Sequence, residues 1–382
     1  MDFDLSDEQT LLGDTVGRLL ADRYDFQKRN VFAASELGWS REMWSAFAEL
    51  GLLAVPFAAE DGGLEGGAVE TMIIMQAFGR ALSLEPYLAT VVLGGGLLRH
   101  GGIAAQRAEH VPAIVSGERL LAFAHSEAQS RFDLAHVTAR AAKRGGGWML
   151  DGAKTLVLDG DSADFLIVSA RTAGEANDRD GIGLFLVDAR APGVSRRGYA
   201  MQDGRRAAEV TLEGVEVGAD AVVGDPAGAL PLIERVVDEA IAALSAEAVG
   251  AMTEMHELTL AYLKERKQFG VPIGSFQALQ HGAVDMYVAV EQAHSMALLA
   301  TMMAGEDDAG ERGRAISAAK VQVGRSARLV GQQAVQLHGG VGMTAEFKVG
   351  HCFKRVTMID LTFGNADHHL ARLGEAGGLN AA

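Results

Sequence analysis

Three short stretches of this 382-residue sequence carry residue types and spacings that could do chemistry. In "ERKQFGVPIGSFQALQH", Arg266, Gln268 and Phe269 precede Gly270 and Pro272, and Phe276-Gln277 follow. A guanidinium can grip phosphate oxygens bidentately, and an aromatic ring beside it offers a flat face to an adenine. The same residues also describe a plain helix end, where basic side chains offset the negative end of the dipole. In "QLHGGVGMTAEF", Gly339, Gly340 and Gly342 permit close backbone approach and expose N–H groups. No strand precedes them, so they are not a dinucleotide-binding GxGxxG turn, and taken alone they describe a helix C-cap. In "LTFGNADHHLARLG", His368 and His369 are neighbours on an expected helix. They point about 100° apart, which disfavours a shared metal ion, so no metal site is expected. Asn365 or Asp367 reads there as the helix N-cap.

These stretches need elements to hold them. From about residue 231 to 382 the chain shows long helical patterns, the first nearly 40 residues with one glycine before its end. Helices of that length, apolar over much of their surface, pack as a bundle and often bury a remaining face in an oligomer. From about 119 to 230 the period is two: "WMLDGAKTLVLDG", "DFLIVSART", "GIGLFLVDAR" and "AAEVTLEGVEVG" are strand-like runs between Gly and Asp-Gly turns. Asp151-Gly152 reads as a tight hairpin turn. With no helical segment between the strands, an antiparallel sheet or barrel is expected rather than βαβ units. Residues 1–118 are again helical in pattern. Ser6 with Gln9 reads as a capping box, and "EPYLATVVLGGGLLRHG" reads as a buried helix. The expectation is an α+β chain with a helical N-terminal domain (1–118), a middle antiparallel β-domain (119–230) and a C-terminal helical bundle (231–382).

Composition narrows the function. The chain is 48% hydrophobic and 22% charged, enough to bury a large core. A net charge of −16 argues against a nucleic-acid partner, which would need a basic footprint. Cys352 is the only cysteine, so neither an intrachain disulfide nor a cysteine metal cluster is available. "MDFDLSDEQT" lacks the basic and apolar regions of a signal peptide. No apolar run reaches the ~18 residues a membrane span needs. A cytoplasmic protein without a membrane partner is expected.

"ERKQFG" with "FQALQH", then "QLHGGVGMT" some sixty residues later, together resemble the acyl-CoA dehydrogenase family. The helix–sheet–helix order and the loop "LGLLAVPFAAEDGGLEGG" agree, so the resemblance covers essentially the whole chain. It implies three domains, the last a four-helix bundle, assembled as a dimer or tetramer around FAD. It implies the chemistry as well. A carboxylate takes the α-proton of an acyl-CoA thioester, the β-hydrogen leaves as hydride to the flavin, and a 2-enoyl-CoA results. The base needs an apolar, water-poor pocket that raises its pKa. Electron-transfer flavoprotein is the implied electron acceptor. Arg266, Gln268, Phe269, Gln277, Gln336, Gly339 and Gly340 match the motifs that reach the adenosine diphosphate half of an FAD held mainly by a neighbouring subunit.

Elsewhere the sequence departs from the family. The family's Tyr-Glu-Gly-Thr turn carries the base; the matching residues here are Thr362-Phe363-Gly364-Asn365, and Phe363 cannot take a proton. Some relatives carry the base on the long helix after the β-domain. Counting back from Phe269, that position is Ala240, with Glu239 one residue away and Ile241 where an arginine usually follows. Asp367 lies one turn beyond Phe363 on nearly the same helix face and is the substitute the resemblance leaves. Glu247 is a further buried-carboxylate candidate, or else a polar subunit contact. The family's flavin loop resembles "SEAQSRFD": Ser126 can keep a hydroxyl contact to the flavin, Asp133 is kept, and the glycines have become Gln129 and Arg131. The family's Trp-Ile-Thr strand resembles Leu156-Val157-Leu158, which places Leu158 beside the ring without a hydroxyl. The expectation is therefore an FAD-dependent dehydrogenase, as a homo- or hetero-oligomer. The alternative is a partner subunit that lends adenosine diphosphate contacts to a homologous active chain.

Overall fold

The computed structural model describes residues 5–377; the first four residues of the acidic N-terminal stretch and the last five of the chain lie outside them. The chain divides into two compact units. One comprises Met1–Val31, Ala68–Ser83 and Ile241–Ala382, the other Phe32–Gly67 and Leu84–Ala240.

The N-terminal helices are α1 (Asp7–Arg23), α2 (Phe26–Ala34), α3 (Arg41–Glu49), α4 (Ala68–Ala81), α5 (Gly95–Gly101) and α6 (Ala104–Val115). At the head of α1, Ser6 Oγ accepts from Gln9 N–H at 3.2 Å and Gln9 Oε1 accepts from Ser6 N–H at 3.0 Å, a reciprocal capping box. The glycine-interrupted apolar stretch is buried from Glu85 to Leu98, as a π-helical segment Leu88–Gly94 running into α5. Gly94 lets it lie against the first strand, since a Cβ there would sit 2.6 Å from that of Leu121.

The second unit is built on a sheet of β1 (Leu121–Ala124), β2 (Arg140–Arg144), β3 (Gly147–Leu158), β4 (Phe165–Arg171), β5 (Ile182–Asp188), β6 (Val194–Ala200), β7 (Arg206–Gly218) and β8 (Val222–Val223). The order is β6-β7-β3-β2-β4-β5-β8, with β1 paired to β4. Pairing is antiparallel except that β1 and β2 each meet β4 in parallel. Trp148, Leu150 and Val157 of β3, Leu166, Val168 and Ala170 of β4 and Phe185 and Val187 of β5 belong to one buried cluster. The period-two reading places these strands because alternate side chains must face that core.

The Asp151-Gly152 hairpin expected from sequence does not form. Both residues lie inside β3, at a register shift against β7, where Gly152 adopts φ 146°. Asp151 Oδ1 instead accepts from Gly214 N–H at 2.7 Å. The hairpin turns six residues earlier, between β2 and β3 at Gly145-Gly146, where Gly145 takes φ 60°. Asp-Gly supplies bulge geometry as readily as turn geometry, so the dipeptide alone does not choose.

The long helix α7 (Leu230–Glu265) spans the division between the units. A two-strand ribbon, β9 (Lys267–Gln268) with β10 (Val271–Pro272), links it to α8 (Gln277–Met303), and then come α9 (Ala309–His338), α10 (Lys348–Leu361) and α11 (Ala366–Glu375). Glycines set how closely the helices of the first unit pack. A Cβ on Gly79 of α4 would lie 1.9 Å from the Glu247 carbonyl of α7, and one on Gly331 of α9 would enter the Phe353 ring of α10. Among the described residues no helix is long and apolar enough to cross a membrane.

Candidate functional site

The two motifs expected from sequence to hold a nucleotide meet at one end of the helical bundle. Phe269 and Gly270 take φ 55° and 83°, turning the β9–β10 ribbon so that Arg266, Gln268 and Phe269 stand outward; Phe269 is 92% exposed. Gln277 opens α8 and Gln336 ends α9, both exposed, and Gly339 caps α9 with φ 61°. Tyr262, one turn before Arg266, stacks on His338, two residues beyond Gln336, with centroids 4.5 Å apart. That stack brings the two sequence motifs together. The Arg266 guanidinium has no partner among the described residues. A Cβ on Gly339 or Gly340 would meet nothing within 4 Å, so open space lies over both glycines.

The loop "SEAQSRFD" follows β1 in the other unit. Ser126 is half-buried, and its carbonyl accepts from Thr155 N–H of β3 at 2.8 Å, three residues from Leu158, itself half-buried. The loop is fixed from beneath by Glu127. Its carboxylate accepts from Lys154 Nζ at 2.7 Å, Thr138 N–H at 2.9 Å, Ala139 N–H at 3.0 Å, the Gln129 amide at 2.6 Å and the Thr138 hydroxyl. Burial alone would raise the Glu127 pKa; Lys154 and the donors outweigh it and hold the carboxyl down at about 2. Lys154, wholly buried, also donates to the His125 carbonyl and the Ser169 hydroxyl, both at 3.1 Å. Arg131 and Leu156 both hold φ near 50°. Backbone strain of this kind costs about 1–3 kcal/mol per residue and persists only where the surroundings impose it.

The turn between α10 and α11 carries the third stretch. Phe363 and Gly364 take φ 58° and 107°. Asn365 is the N-cap of α11, its side chain accepting from His368 N–H at 3.0 Å. Asp367 is exposed in the first turn of α11, and its carboxylate has no partner among the described residues. With Arg325, Arg328, Gln332 and Gln333 of α9 it lines a pocket of about 400 Å³. His369 is buried: Nε2 donates to the Phe363 carbonyl at 3.0 Å, which leaves Nδ1 to accept from the Ser317 hydroxyl at 3.1 Å. Burial and the nearby Lys320 push its pKa to about 3, so it stays neutral. Lys320, also fully buried, donates to the carbonyls of Ile359 and of Thr362, the latter at 3.0 Å. Among the described residues no group of three or more His, Cys, Asp or Glu could hold a metal ion.

The other carboxylates singled out from sequence are occupied. Glu239 of α7 accepts from Arg99 Nη2 at 2.5 Å and from His100 Nε2 at 2.8 Å, with Arg235 one turn back at 3.8 Å. Burial pushes its pKa up, but those partners win and hold it below the ordinary carboxylate value. Glu247 is 0% exposed and takes a two-point grip from Arg355 of α10 at 2.6 and 2.7 Å. Ala240 is buried on α7.

Sequence reasoning missed Lys154, Lys320, Arg355 and His369 as organisers. A faint signal existed for two. Lys154 falls in step with Trp148 and Leu150 on the inward face of β3, and Lys320 lies one turn from Ile316 on the buried stripe of α9. A lysine on an apolar stripe must find oxygens there or deprotonate. Which oxygens are near, the spacing does not say.

Three family models match the chain: the acyl-CoA dehydrogenase N-terminal domain over residues 6–118, the middle domain over 122–215 and the C-terminal domain over 230–378. The chain is 28% identical over 377 residues to the probable acyl-CoA dehydrogenase YngJ of Bacillus subtilis, covering 96% of this chain and 97% of that one. It superposes on a chain of the ChsE4-ChsE5 complex from Mycobacterium tuberculosis with a TM-score of 0.89, 26% identity and full coverage of both. The glutaryl-coenzyme A dehydrogenase glutaryl-CoA complex shares the fold at a TM-score of 0.90 and 23% identity, covering 100% of this chain and 98% of that one. The chain belongs to the acyl-CoA dehydrogenase family, FAD-dependent oxidoreductases acting on CH–CH bonds, and its cofactor is FAD.

Proposed function

We propose that this chain acts in the α,β-dehydrogenation of an acyl-CoA thioester to a 2-enoyl-CoA as one subunit of a heteromeric enzyme. One contrast supports the reading: the residues matching the nucleotide motifs stand exposed, Arg266 without a partner among the described residues and Gln268 tied only to the neighbouring Lys267 carbonyl, while both positions where the family carries its base are apolar, Phe363 and Ala240. The name of the ChsE4-ChsE5 complex, a similar protein of two different chains, agrees with it.

The residues fit the adenosine diphosphate half of FAD. Arg266 has a free guanidinium for the diphosphate, Phe269 an open ring face, Gln268, Gln277 and Gln336 amide donors and acceptors, and Gly339-Gly340 an uncovered backbone. On the ring side, the Ser126 hydroxyl has no partner among the described residues and is available to the flavin, while Leu158 offers only apolar contact. When bound, FAD supplies the hydride acceptor. Within this chain Asp367 is our candidate base, because it is the carboxylate one turn past Phe363 without an ion-pair partner among the described residues, although it is exposed and shares its pocket with Arg325 and Arg328 rather than with apolar walls. Glu239 is the weaker candidate, since Arg99 and His100 keep it ionised and occupied. We place the domain boundaries near residues 118 and 230, and electron-transfer flavoprotein as the acceptor of the electrons.

The second reading, a partner that lends only nucleotide contacts, draws on Phe363 and Ala240. Purification tests the heteromeric arrangement that both readings assume, and Asp367→Asn then separates them. A yellow chain bleached by an acyl-CoA on its own is a self-sufficient enzyme. A colourless chain that gains stoichiometric flavin with a homologous partner is a shared-site subunit. In whichever assembly turns over, Asp367→Asn should cut kcat about 10²–10⁴-fold if Asp367 is the base; unchanged turnover assigns the base to the partner.

A further inference from the structure

We propose that Lys320 and His369 are positioning residues for Asp367: together they lock the Phe363–Gly364 turn and so fix the direction in which the first turn of α11 presents its carboxylate. The inference rests on Asp367 being the base.

The geometry is convergent. Three carbonyls at the end of α10 and in the turn, those of Ile359, Thr362 and Phe363, are each taken by a buried side-chain donor: Lys320 for the first two, His369 for the third. The Ser317 hydroxyl, one helical turn before Lys320 on α9, donates to His369 Nδ1 and so fixes the tautomer that keeps the Nε2 proton aimed at Phe363. A fourth contact closes the arrangement: Asp360 Oδ1 accepts from Ala366 N–H at 3.2 Å. Gly324 of α9 leaves room for it, since a Cβ there would sit 2.2 Å from that oxygen. The turn has little freedom left. Phe363 is held in the left-handed region despite its side chain, and a Cβ on Gly364 would strike both His368 and His369.

A cap on α10 would need only one donor to its last carbonyls. Here two buried polar side chains, each costly to desolvate, are spent on a turn that also fixes the start of α11. Neither Lys320 nor His369 touches the pocket that Asp367 lines, so neither is a catalytic residue. Their effect is on where the Asp367 carboxylate stands, and a displacement of about 1 Å is worth up to roughly a hundredfold in rate.

The test uses the flavin-loaded assembly that turns over. His369→Leu removes the donor to Phe363. His369→Gln keeps an N–H of similar reach. The expected result for His369→Leu is a roughly tenfold to hundredfold loss of kcat at unchanged KM, with faster amide hydrogen exchange across residues 362–369, both restored by His369→Gln. Lys320→Met should behave as His369→Leu does, and the histidine pair keeps the test alive if that variant fails to fold. Combined with Asp367→Asn, neither change should add further loss, because residues acting through one group are not additive. If Asp367→Asn is damaging but His369→Leu is silent or multiplies with it, the positioning role falls and the assignment of the base stands. If Asp367→Asn is itself silent, both fall.

Discussion

The end of the bundle that carries Arg266 and Gln336 and the α10–α11 turn stand one helix apart in sequence and differ in how their polar groups are committed. At the first, Arg266, Phe269 and Gln336 are exposed and uncommitted, over glycines facing open space. At the second, apart from the exposed Asp367, polar groups are buried and paired, Lys320 with carbonyls and His369 with Ser317 and Phe363; earlier on α10, Arg355 is likewise paired with Glu247 of α7. Surfaces left free are surfaces for a ligand. Networks closed internally are structure, even where they contain the carboxylates and imidazoles that chemistry would use. The difference teaches that residue type alone misleads here: of three acidic residues weighed as bases, two are counter-ions.

Four changes would break or sharpen that contrast. The largest effect is expected at Arg355. Arg355→Met removes the two-point grip on buried Glu247 and should cost about 3–5 kcal/mol, read as a fall in the chemical-denaturation midpoint; a small loss would mean that the Arg355 pair is not what holds Glu247. Next is Arg266→Ala. The side chain is exposed and unpaired, so thermal stability should hold, while FAD affinity drops roughly tenfold to a hundredfold in the assembled enzyme, measured by flavin retention on dialysis. Retention at the wild-type level would place the diphosphate elsewhere.

The third is a pH effect. Burial pushes Lys320 to about 7 in the folded chain, against an ordinary lysine value of 10.5. Between those values the unfolded chain binds more protons than the folded one, so stability must rise with pH across that window. Below about pH 7 both forms are protonated and the full burial penalty is present. Denaturation midpoints of wild type minus Lys320→Met should therefore climb from neutral to alkaline pH. A flat difference would show that Asp360 and the carbonyls hold Lys320 charged. The smallest effect is Asn365→Ala, which removes the α11 N-cap and should cost about 1 kcal/mol by thermal melt. A much larger loss would mean that the cap shares in the Lys320–His369 clamp.

Much of the architecture was legible. Ser6 and Gln9 announced α1, and the change of period from 3.6 to 2 and back marked the sheet between helical blocks. "ERKQFG" and "QLHGGVG" marked two segments that the fold brings together as an exposed end of the bundle, because a helix end and a glycine turn are both local features. What failed was also local in appearance. Asp151-Gly152 looks like a hairpin and is a bulge, because pairing with β7 decides which backbone role the glycine plays. Glu239 looks like a shifted base and is an ion-pair acceptor, because Arg99 and His100 arrive from a helix some 140 residues earlier in the chain.

By itself the sequence determined the order of the elements, the family and which motif residues stand at helix ends and glycine turns, since these follow from periodicity, capping and contiguous motifs. Only the tertiary structure decided which charged groups are spent inside the protein. Pairing between Glu247 and Arg355, Glu127 and Lys154, or Lys320 and the α10 carbonyls depends on distances between residues far apart in the chain. The electrostatic worth of a buried group is set by those few ångströms, and no spacing along the chain encodes them.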